Sequence, residues 1–420
     1  MKLVADLTAT TAPFRPRHPI APPSLVLDFA AGFYGAASFA ELVTFSRGST
    51  ATYFDAAGTL RAAAVDMPRF DHDPITGAAL GLVIEESRTN LELHSEQLDN
   101  AAWIKSNVAV TANAVVAPDG AASADLVAST AGTTGQHIRQ TTAISAGTDY
   151  TMSLFFFAGS SNAVWLRILN GAGTRTLGAV LFDPIAATVT SSTNLLSPPT
   201  IAAIGGGWFR LSAAFNSTTE TSLVTYLYPS NAVDNSGSVH LWGVQLEAGG
   251  FASSYIPTTG AAVTRAADLA DRTLGPEYDA VAGTAVVIGD TADTSGAGIS
   301  RILSLNSGSG SRIDAFIAPQ PNRQLTLDVA DGGSVQASPA TANPVASDGS
   351  FKAAASFAEN DFAVALDGAP PATEASGTVP AVTKLSLGTG PTGDHLNGHI
   401  SSLVYYPRRL PDADLQELTA

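Results

Sequence analysis

Three segments of the sequence identify the fold: GGWFRLSAAF (206–215), SVHLWGVQLEAGGFASSYIPTTG (238–260) and AAVTRAADLA (261–270). In the second segment, alternate positions on one side are apolar or aromatic: His240, Trp242, Val244 and Leu246. A period of two is that of a β-strand, so the segment predicts a strand with one packed face. Gly249 and Gly250 end this strand, and a polar segment follows.

Two blocks of the sequence resemble one family. The pattern GWFRLS…HLWGVQLEAG…SSYIPTTGAAVTRAAD is similar to the closing half of carbohydrate-binding-module-like jelly rolls in phage or gene-transfer-agent head spikes and tail fibres. Residues 47–103 resemble the segment that precedes such modules in virion fibre proteins. The resemblance covers residues 47–270 and implies a set of structural motif residues: Trp208, Trp242, Gln245, Glu247, Tyr255 and Pro257.

The composition agrees with an all-β protein built from several units. A chain of 420 residues is too long for one ordinary core, so two to four domains are expected. Charged residues make up only 14%, and 38 glycines and 24 prolines provide turns, as in β-sandwiches. There is no cysteine, so no disulfide framework is available.

The net charge of −16 limits the choice of partners. An acidic surface disfavours nucleic acid and anionic membranes. It also repels an acidic polysaccharide, unless a local patch or a cation intervenes. The first residues lack the apolar region of a signal peptide, and no run approaches the roughly 18 apolar residues of a membrane span. We therefore expect no membrane insertion, and synthesis in a cytoplasm followed by incorporation into a virion.

The N-terminal region is predicted to have two parts. Residues 1–24 are rich in proline, which favours an extended arm, either a flexible terminus or a segment that docks on a virion base, capsid or tail protein. Residues 25–92 are predicted to form a small β-rich connector with a hairpin around Asp55–Gly58. Glu85, Glu86 and Arg88 follow an apolar strand, and a buried Glu–Arg contact is expected to fix this unit to the next domain.

Residues 93–265 are predicted to form the jelly roll, an antiparallel sandwich of about eight strands. Sugar rings stack their C–H faces on flat aromatic surfaces, so exposed aromatic residues are candidate ligand contacts. Trp165, Tyr226 and Tyr228 are the candidates for carbohydrate binding. The alternative for these three is a packing role, and packing is expected for Trp208 and Trp242.

The last part of the chain is predicted to be a second sandwich. Residues 266–275 are expected to be a linker in which Asp268, Asp271 and Arg272 form inter-domain salt bridges, each of them weak if it is exposed. Residues 276–420 alternate strand-like runs with Gly- and Asp-rich turns, and LNGHISSLVYYPRRLPDADLQELTA resembles the end of concanavalin-A-like or laminin-G-like lectin sandwiches. A short terminal helix is expected after Pro411, with Leu415 and Leu418 on its apolar side.

Motifs for catalysis or metal binding have plainer explanations. Asp71, His72 and Asp73 faintly resemble a calcium loop, but Asp73–Pro74 and Thr76–Gly77 are better explained as a turn between two strands. Gly388–Gly393 matches G-x-G-x-x-G, but a turn follows where a dinucleotide site needs a helix. Asn397–Gly398 breaks the helix that would aim His395 and His399 at one metal. We therefore predict no metal, no cofactor and no enzymatic activity.

Three functions stay open at this point. The first is a virion-borne adhesin that binds host capsular or surface polysaccharide, with a head spike favoured over a tail fibre because coiled-coil heptads are absent. A homo-oligomer is expected, because multivalency makes weak single sites sufficient. The alternatives are a purely structural virion fibre or decoration protein and a polysaccharide-degrading tailspike, which needs two close carboxylates.

Overall fold

The computed structural model describes residues 22–130, 134–231, 236–293 and 298–420. Strands make up 51% of the structure and helices 3%, and the strands pair antiparallel, which confirms the predicted all-β class with β-sandwiches. The first 90 residues contain β1 (Leu25–Asp28), α1 (Phe39–Leu42), β2 (Thr44–Ser46), β3 (Ala51–Phe54), β4 (Leu60–Ala63), β5 (Phe70–His72), β6 (Ala79–Ile84) and β7 (Arg88–Asn90). The predicted arm lies outside the described residues, except for residues 22–24.

The central part of the chain continues with β8 (Ile104–Ser106), β9 (Val108–Val116), β10 (Ala122–Ser129), β11 (His137–Ala143), β12 (Asp149–Ala158), β13 (Val164–Asn170), β14 (Thr176–Asp183), β15 (Thr188–Thr193), β16 (Thr200–Gly205), β17 (Trp208–Asn216), β18 (Ser222–Tyr228) and β19 (Ser238–Ala248).

The remaining elements are β20 (Val263–Arg265), β21 (Leu269–Thr273), β22 (Ala282–Gly289), β23 (Ser300–Asn306), β24 (Arg312–Ile317), β25 (Gln324–Asp331), β26 (Ser334–Ala337), β27 (Ala340–Pro344), β28 (Phe351–Ala358), β29 (Asp361–Leu366), β30 (Ala372–Glu374), β31 (Lys384–Leu387), β32 (Gly398–Tyr406) and α2 (Asp412–Leu418).

The first sandwich consists of two six-stranded antiparallel sheets. Their strand orders are β16-β17-β12-β19-β10-β9 and β15-β14-β13-β18-β11-β8. Alternating side chains of both sheets meet in one core that includes Phe156, Phe182 and Phe215. The predicted strand at 238–248 is β19, which pairs with β10 and β12 in the middle of its sheet.

The second sandwich consists of two eight-stranded sheets. One has the order β30-β29-β28-β22-β32-β6-β5, with β1 also paired to β32. The other has the order β2-β21-β31-β23-β24-β25-β26, with β27 paired to β25. Their facing side chains form one large core. The predicted terminal helix is present as α2, and its buried Leu415 and Leu418 pack on the outer side of the first of these sheets.

The strand pairing crosses the predicted domain boundaries. Strands β1 and β6 of the predicted 25–92 unit pair directly with β32, and β5 continues the sheet beyond β6. The predicted linker at 266–275 contains β21, which pairs with β2 on one side and β31 on the other. The second sandwich therefore contains strands from both ends of the chain. The predicted division of the chain into separate domains stays a prediction.

A buried ionic cluster joins the two family-like blocks. The Arg47 and Arg69 guanidinium groups bind the Asp268 carboxylate at 3.0 and 2.5 Å, and all three side chains are fully buried. Arg69 also lies 2.8 Å from Glu85, which has Arg265 3.4 Å away. Burial opposes ionisation of Glu85, but the two arginines outweigh it and hold its pKa far below the usual range.

This cluster corrects two details of the sequence interpretation. The buried Glu–Arg contact exists, but its arginines are Arg69 and Arg265, because Arg88 pairs with Glu86 instead. Asp268 does form salt bridges, but it is fully buried, so the weakness expected of an exposed pair does not apply to it. Asp271 does form the expected partly exposed pair, with Lys384, and Arg272 pairs with Glu277.

The motif residues in the last part of β19 and in the segment after it hold the chain where it leaves the first sandwich. Glu247 accepts bonds from Gln245 Nε2 at 2.6 Å and from Ser253 Oγ at 2.6 Å. Trp208, Trp242 and Tyr255 are buried in one aromatic cluster, whereas Pro257 is exposed. In addition, Thr52 Oγ1 donates to the Tyr255 carbonyl at 2.6 Å, which ties the two blocks together.

Candidate functional site

The centre of one sheet of the first sandwich brings three strands side by side. Strand β18 lies between β13 and β11, with Trp165 opposite Tyr228 and with Arg167 and Arg139 opposite Tyr226 on either side. Intervening residues of these strands point into the core and are buried, for example Leu166 and Leu227. The alternation of a β-strand therefore places the named residues together on the outer face.

Four rings on this outer face form a continuous surface, which we call the aromatic face: His137, Trp165, Tyr226 and Tyr228. The Tyr226 and Tyr228 rings are nearly parallel, with centroids 6.0 Å apart and an interplanar angle of 18°. The centroids of Trp165 and His137 lie 6.0 and 5.2 Å from that of Tyr228. All four side chains are half-buried, so each presents part of its ring to solvent.

Two arginines flank these rings. The Arg167 guanidinium carbon lies 4.7 Å from the Trp165 ring centroid, and that of Arg139 lies 5.9 Å from the Tyr226 centroid. Cations are attracted to the negative faces of aromatic rings, so both side chains are held over the aromatic face. Burial lowers the pKa of His137, and nearby Arg139 lowers it further. The His137 ring is therefore neutral at pH 7.

An open groove runs beside Tyr226. Its volume is about 570 Å³, within the range of small-ligand sites. The side chains and turns around it come from β8, β11, β18 and the turn after β13: Ile104, Lys105, Ser106, His137, Arg139, Gly171, Ala172, Gly173, Val224 and Tyr226. Flat rings next to a polar-rimmed groove can hold a sugar, because C–H groups stack on the rings and hydroxyls bond at the rim.

The structure brings the three predicted ligand contacts together. Trp165, Tyr226 and Tyr228 come from two neighbouring strands and lie on one surface. Their role in binding stays a prediction. Sequence reasoning missed His137, Arg139 and Arg167, although the alternation within HIRQTTA and VWLRILN already puts each of them on the side opposite the apolar positions.

The histidines of the second sandwich are placed apart, as expected from the turn between them. His395 Nδ1 contacts the Gly393 carbonyl at 2.9 Å. The His399 ring bridges two carboxylates, with Nδ1 2.9 Å from Asp290 and Nε2 3.1 Å from Asp71. Burial alone would lower the pKa of His399, but these two carboxylates outweigh it and raise it to about 10. No group of three or more potential metal ligands occurs among the described residues.

The turn expected after Asp73 is present, whereas Asp71 and His72 lie in strand β5. Asp73 accepts bonds from the backbone N–H groups of Ile75 and Thr76 at 2.9 and 2.7 Å. These bonds are the side-chain-to-backbone contacts of an Asx-type turn. Within the described part of the chain, no helix is long and apolar enough to cross a membrane.

Comparison with known proteins gives structural likenesses only. No family model matches the chain, and no curated protein matches it. Similar solved structures include the CBM40 module of a Ruminococcus gnavus sialidase bound to α2,3-sialyllactose, with TM-score 0.27 and 18% identity over 34% of this chain and 84% of that one. Another is the LG4-5 pair of mouse laminin α1, with TM-score 0.22 and 12% identity over 63% and 82%.

Two further likenesses concern an enzyme and a virion protein. Trypanosoma rangeli sialidase in complex with the inhibitor DANA has TM-score 0.27 and 12% identity, over 70% of this chain and 60% of that one. A tail fibre protein of an Escherichia coli phage has TM-score 0.20 and 10% identity, over 67% and 35%. Likenesses this distant assign no ligand or activity.

One prediction needs correction at this point. The expectation that the chain is not an enzyme is contradicted, because sialidases are among the similar structures. The low TM-scores and identities make this likeness only weakly suggestive of an enzyme. It identifies no catalytic residue in this chain.

Proposed function

We propose that this chain binds host cell-surface polysaccharide through the aromatic face, as a spike or fibre protein of a virion. The observation that carries the binding proposal is the placement of Trp165, Tyr226 and Tyr228 on one outward surface, with ring centroids about 6.0 Å apart. Aromatic rings with such spacing offer consecutive stacking positions for a chain of sugar rings. Large aromatic side chains that are partly exposed on a sheet face do not favour solubility and are typical of a binding surface.

The virion part of the proposal rests on the sequence resemblance. Residues 47–270 are similar to segments of phage or gene-transfer-agent spikes and fibres, and the proline-rich N-terminal region is proposed to dock on a virion base, capsid or tail protein. We favour a head spike over a tail fibre, and a homo-oligomer over a monomer, because several weak sites on one particle reinforce each other. The role in adsorption follows from these two features together.

The test is binding of the purified chain to capsular polysaccharide from candidate bacterial hosts. Trp165→Ala and Tyr226→Ala are expected to weaken binding at least tenfold each, because buried Trp and Tyr contacts dominate binding energies. Tyr53→Ala is the matched control, since this half-buried tyrosine lies on the distant β3–β4 hairpin. Unchanged affinity in the first two variants, with folding verified by circular dichroism, would rule out the aromatic face.

Chromatographic sizing of the polymer after incubation separates two outcomes. A polymer of unchanged length indicates that this chain holds the glycan without cutting it. A shortened polymer indicates a depolymerising activity, whose carboxylates would then be sought next to the bound sugar. Absence of binding to any host polysaccharide would leave the purely structural virion protein as the remaining alternative.

A further inference from the structure

We propose that the aromatic face selects a polysaccharide that carries carboxylates, and that Arg139 and Arg167 bind those carboxylates. This inference rests on the proposed function, because it names the chemical class of glycan for the same site. The chain as a whole carries a net charge of −16, which by itself argues for a neutral ligand. The local arrangement at the aromatic face reverses that argument.

The first observation is that these two cations have no carboxylate partner in the part of the chain that the structure describes. Most arginines in the described residues form ion pairs, for example with Asp55, Glu220 or Asp361. Neither Arg139 nor Arg167 has an ion pair among the described residues. Within the described part of the chain, Arg167 hydrogen-bonds to the neutral hydroxyls of Thr176 and Tyr228 and lies against the Trp165 ring. Their charges are therefore available to a ligand.

The second observation is the position of the two charges. Both arginines stand opposite Tyr226, one on each neighbouring strand, so they flank the central ring of the aromatic face. Adjacent strands lie about 4.8 Å apart, so the two Cα positions are separated by roughly 10 Å across the sheet. A sugar stacked on Tyr226 thus has a guanidinium within reach at either edge. Guanidinium groups bind carboxylates in a planar, two-point geometry, which neutral hydroxyls do not match.

An acidic ligand is attracted by Arg139 and Arg167 and repelled by the acidic groups elsewhere on the protein, and the distances over which these two forces act decide which one prevails. The Debye length is about 10 Å at 0.1 M salt, so repulsion from acidic groups farther away is largely screened. A carboxylate in contact with Arg139 or Arg167 lies well within that distance. Local attraction therefore outweighs the net charge, and the net charge acts against anions elsewhere on the surface. This arrangement restricts an acidic polymer to one face.

The experiment compares the binding of an acidic polymer with the binding of its uncharged form, and it uses two such polymers. Polygalacturonate and polysialic acid are used as acidic probes, each next to its carboxyl-reduced, uncharged form. Isothermal titration with the full-length wild-type chain is expected to show binding of an acidic probe, and at least tenfold weaker binding of its reduced form. A rise of ionic strength from 0.05 to about 0.5 M is expected to weaken only the binding of the acidic form.

Variants identify the residues. Arg139→Gln and Arg167→Gln are each expected to weaken binding of the acidic probe about tenfold, because hydrogen bonds to charged groups are of that strength. The effect of each substitution on the reduced probe is expected to be much smaller, because that probe offers no carboxylate. Arg139→Lys keeps the charge and is expected to restore part of the affinity. Arg61→Gln removes an exposed arginine that already pairs with Asp55, and it serves as the control with unchanged binding.

The outcomes separate this inference from the proposed function. Equal binding of acidic and reduced probes would overturn the carboxylate inference and leave glycan binding intact. Binding of the acidic probe that is insensitive to both arginine substitutions would also overturn it. Binding of neither form would overturn the carboxylate inference, whereas the assay with host capsular polysaccharide decides the proposed function separately. The wild-type comparison involves no substitution, so a variant that fails to fold does not remove the test.

Discussion

At the scale of single residues, most of the buried charged side chains among the described residues form ion pairs. Asp268 shows the point, since it is fully buried and accepts bonds from Arg47 and Arg69. A buried ion pair contributes little compared with an apolar pair of the same shape, but its disruption leaves an uncompensated charge. Asp268 is therefore expected to be far more sensitive to substitution than its charge alone suggests.

Asp268→Asn is predicted to destabilise the chain by about 3–5 kcal/mol, because it leaves two buried guanidinium groups with one carboxylate fewer. Asp271→Asn makes the same chemical change three residues away, in a partly exposed pair with Lys384. That control is predicted to cost at most about 1 kcal/mol. Urea unfolding followed by circular dichroism measures both, and similar losses for the two variants would contradict the assignment of a buried cluster.

A second residue-scale prediction concerns Glu92, which is fully buried in the first sandwich. Burial raises its pKa to about 7, and bonds from Thr225 and Thr142 oppose that shift only in part. Because the folded-state pKa is raised above the ordinary 4.5, the stabilisation is complete below pH 4.5. It is lost as the pH rises to about 7, and the loss is on the order of 3 kcal/mol.

Glu92→Gln keeps the shape without a titratable group, so its stability is predicted not to show this loss. The measurement is the free energy of unfolding between pH 4 and pH 8 for both proteins. Glu359→Gln removes an exposed glutamate and is the control that should follow the wild type. Parallel curves for the wild type and Glu92→Gln would show that Glu92 does not titrate in this interval.

At the scale of elements, strand β32 connects distant parts of the sequence. It pairs with β1 and β6 from the start of the chain and with β22 from the last third. His399 on this strand bridges Asp71 of β5 and Asp290, which follows β22. The protonated imidazolium thus holds two carboxylates that would otherwise repel each other.

The pH dependence of this bridge follows from the raised pKa of His399. The ordinary value is 6.5 and the folded-state value is about 10, so the stabilisation is complete below pH 6.5. It is lost progressively as the pH rises to about 10. His399→Gln is predicted to lower stability at pH 6 and to reduce this alkaline loss, as measured by thermal unfolding from pH 6 to pH 10. His94→Gln is the control, and an unchanged slope for His399→Gln would contradict the bridge.

The sequence allowed the elements to be predicted better than their partners. Alternation identified β19, because a period of two is visible within a single segment. The pairing of Leu25 with Tyr405 could not be derived in this way, because periodicity states which side is buried and not which strand lies beside it. The same limit applies to the candidate site. Trp165, Tyr226 and Tyr228 could be named from residue type, but their neighbours Arg139 and Arg167 required the register.

At the scale of the whole molecule, the two sandwiches differ in how they are assembled. All twelve strands of the first sandwich lie between Ile104 and Ala248. The second sandwich takes strands β1, β2, β5 and β6 from the first 84 residues and β21 from the predicted linker. Its core likewise includes Leu27, Leu82 and Ile84, which are fully buried. The candidate binding face therefore belongs to a unit that is continuous in sequence, whereas the other unit is not.

A fragment experiment tests this difference. A fragment of residues 88–265 retains both six-stranded sheets and the β7–β20 pair, so it is predicted to fold and to bind glycan like the full chain. A fragment of residues 276–420 lacks five strands, which leaves apolar core positions and the β32 and β31 backbones exposed. It is predicted to be insoluble or unfolded by circular dichroism.

Co-expression provides the control for the second fragment. Residues 25–92 supply four of the missing strands, so their presence as a separate chain is predicted to increase the soluble yield of a 266–420 fragment, which includes β21. Residues 93–265, which supply none of these strands, should have no such effect. Because strand pairing is specific in register, the rescue should also disappear when Leu82 and Ile84 are both replaced by Asp, which places charges in the core. A 276–420 fragment that folds alone would show that the N-terminal strands are peripheral to the second sandwich. It would support the domain boundaries predicted from the sequence.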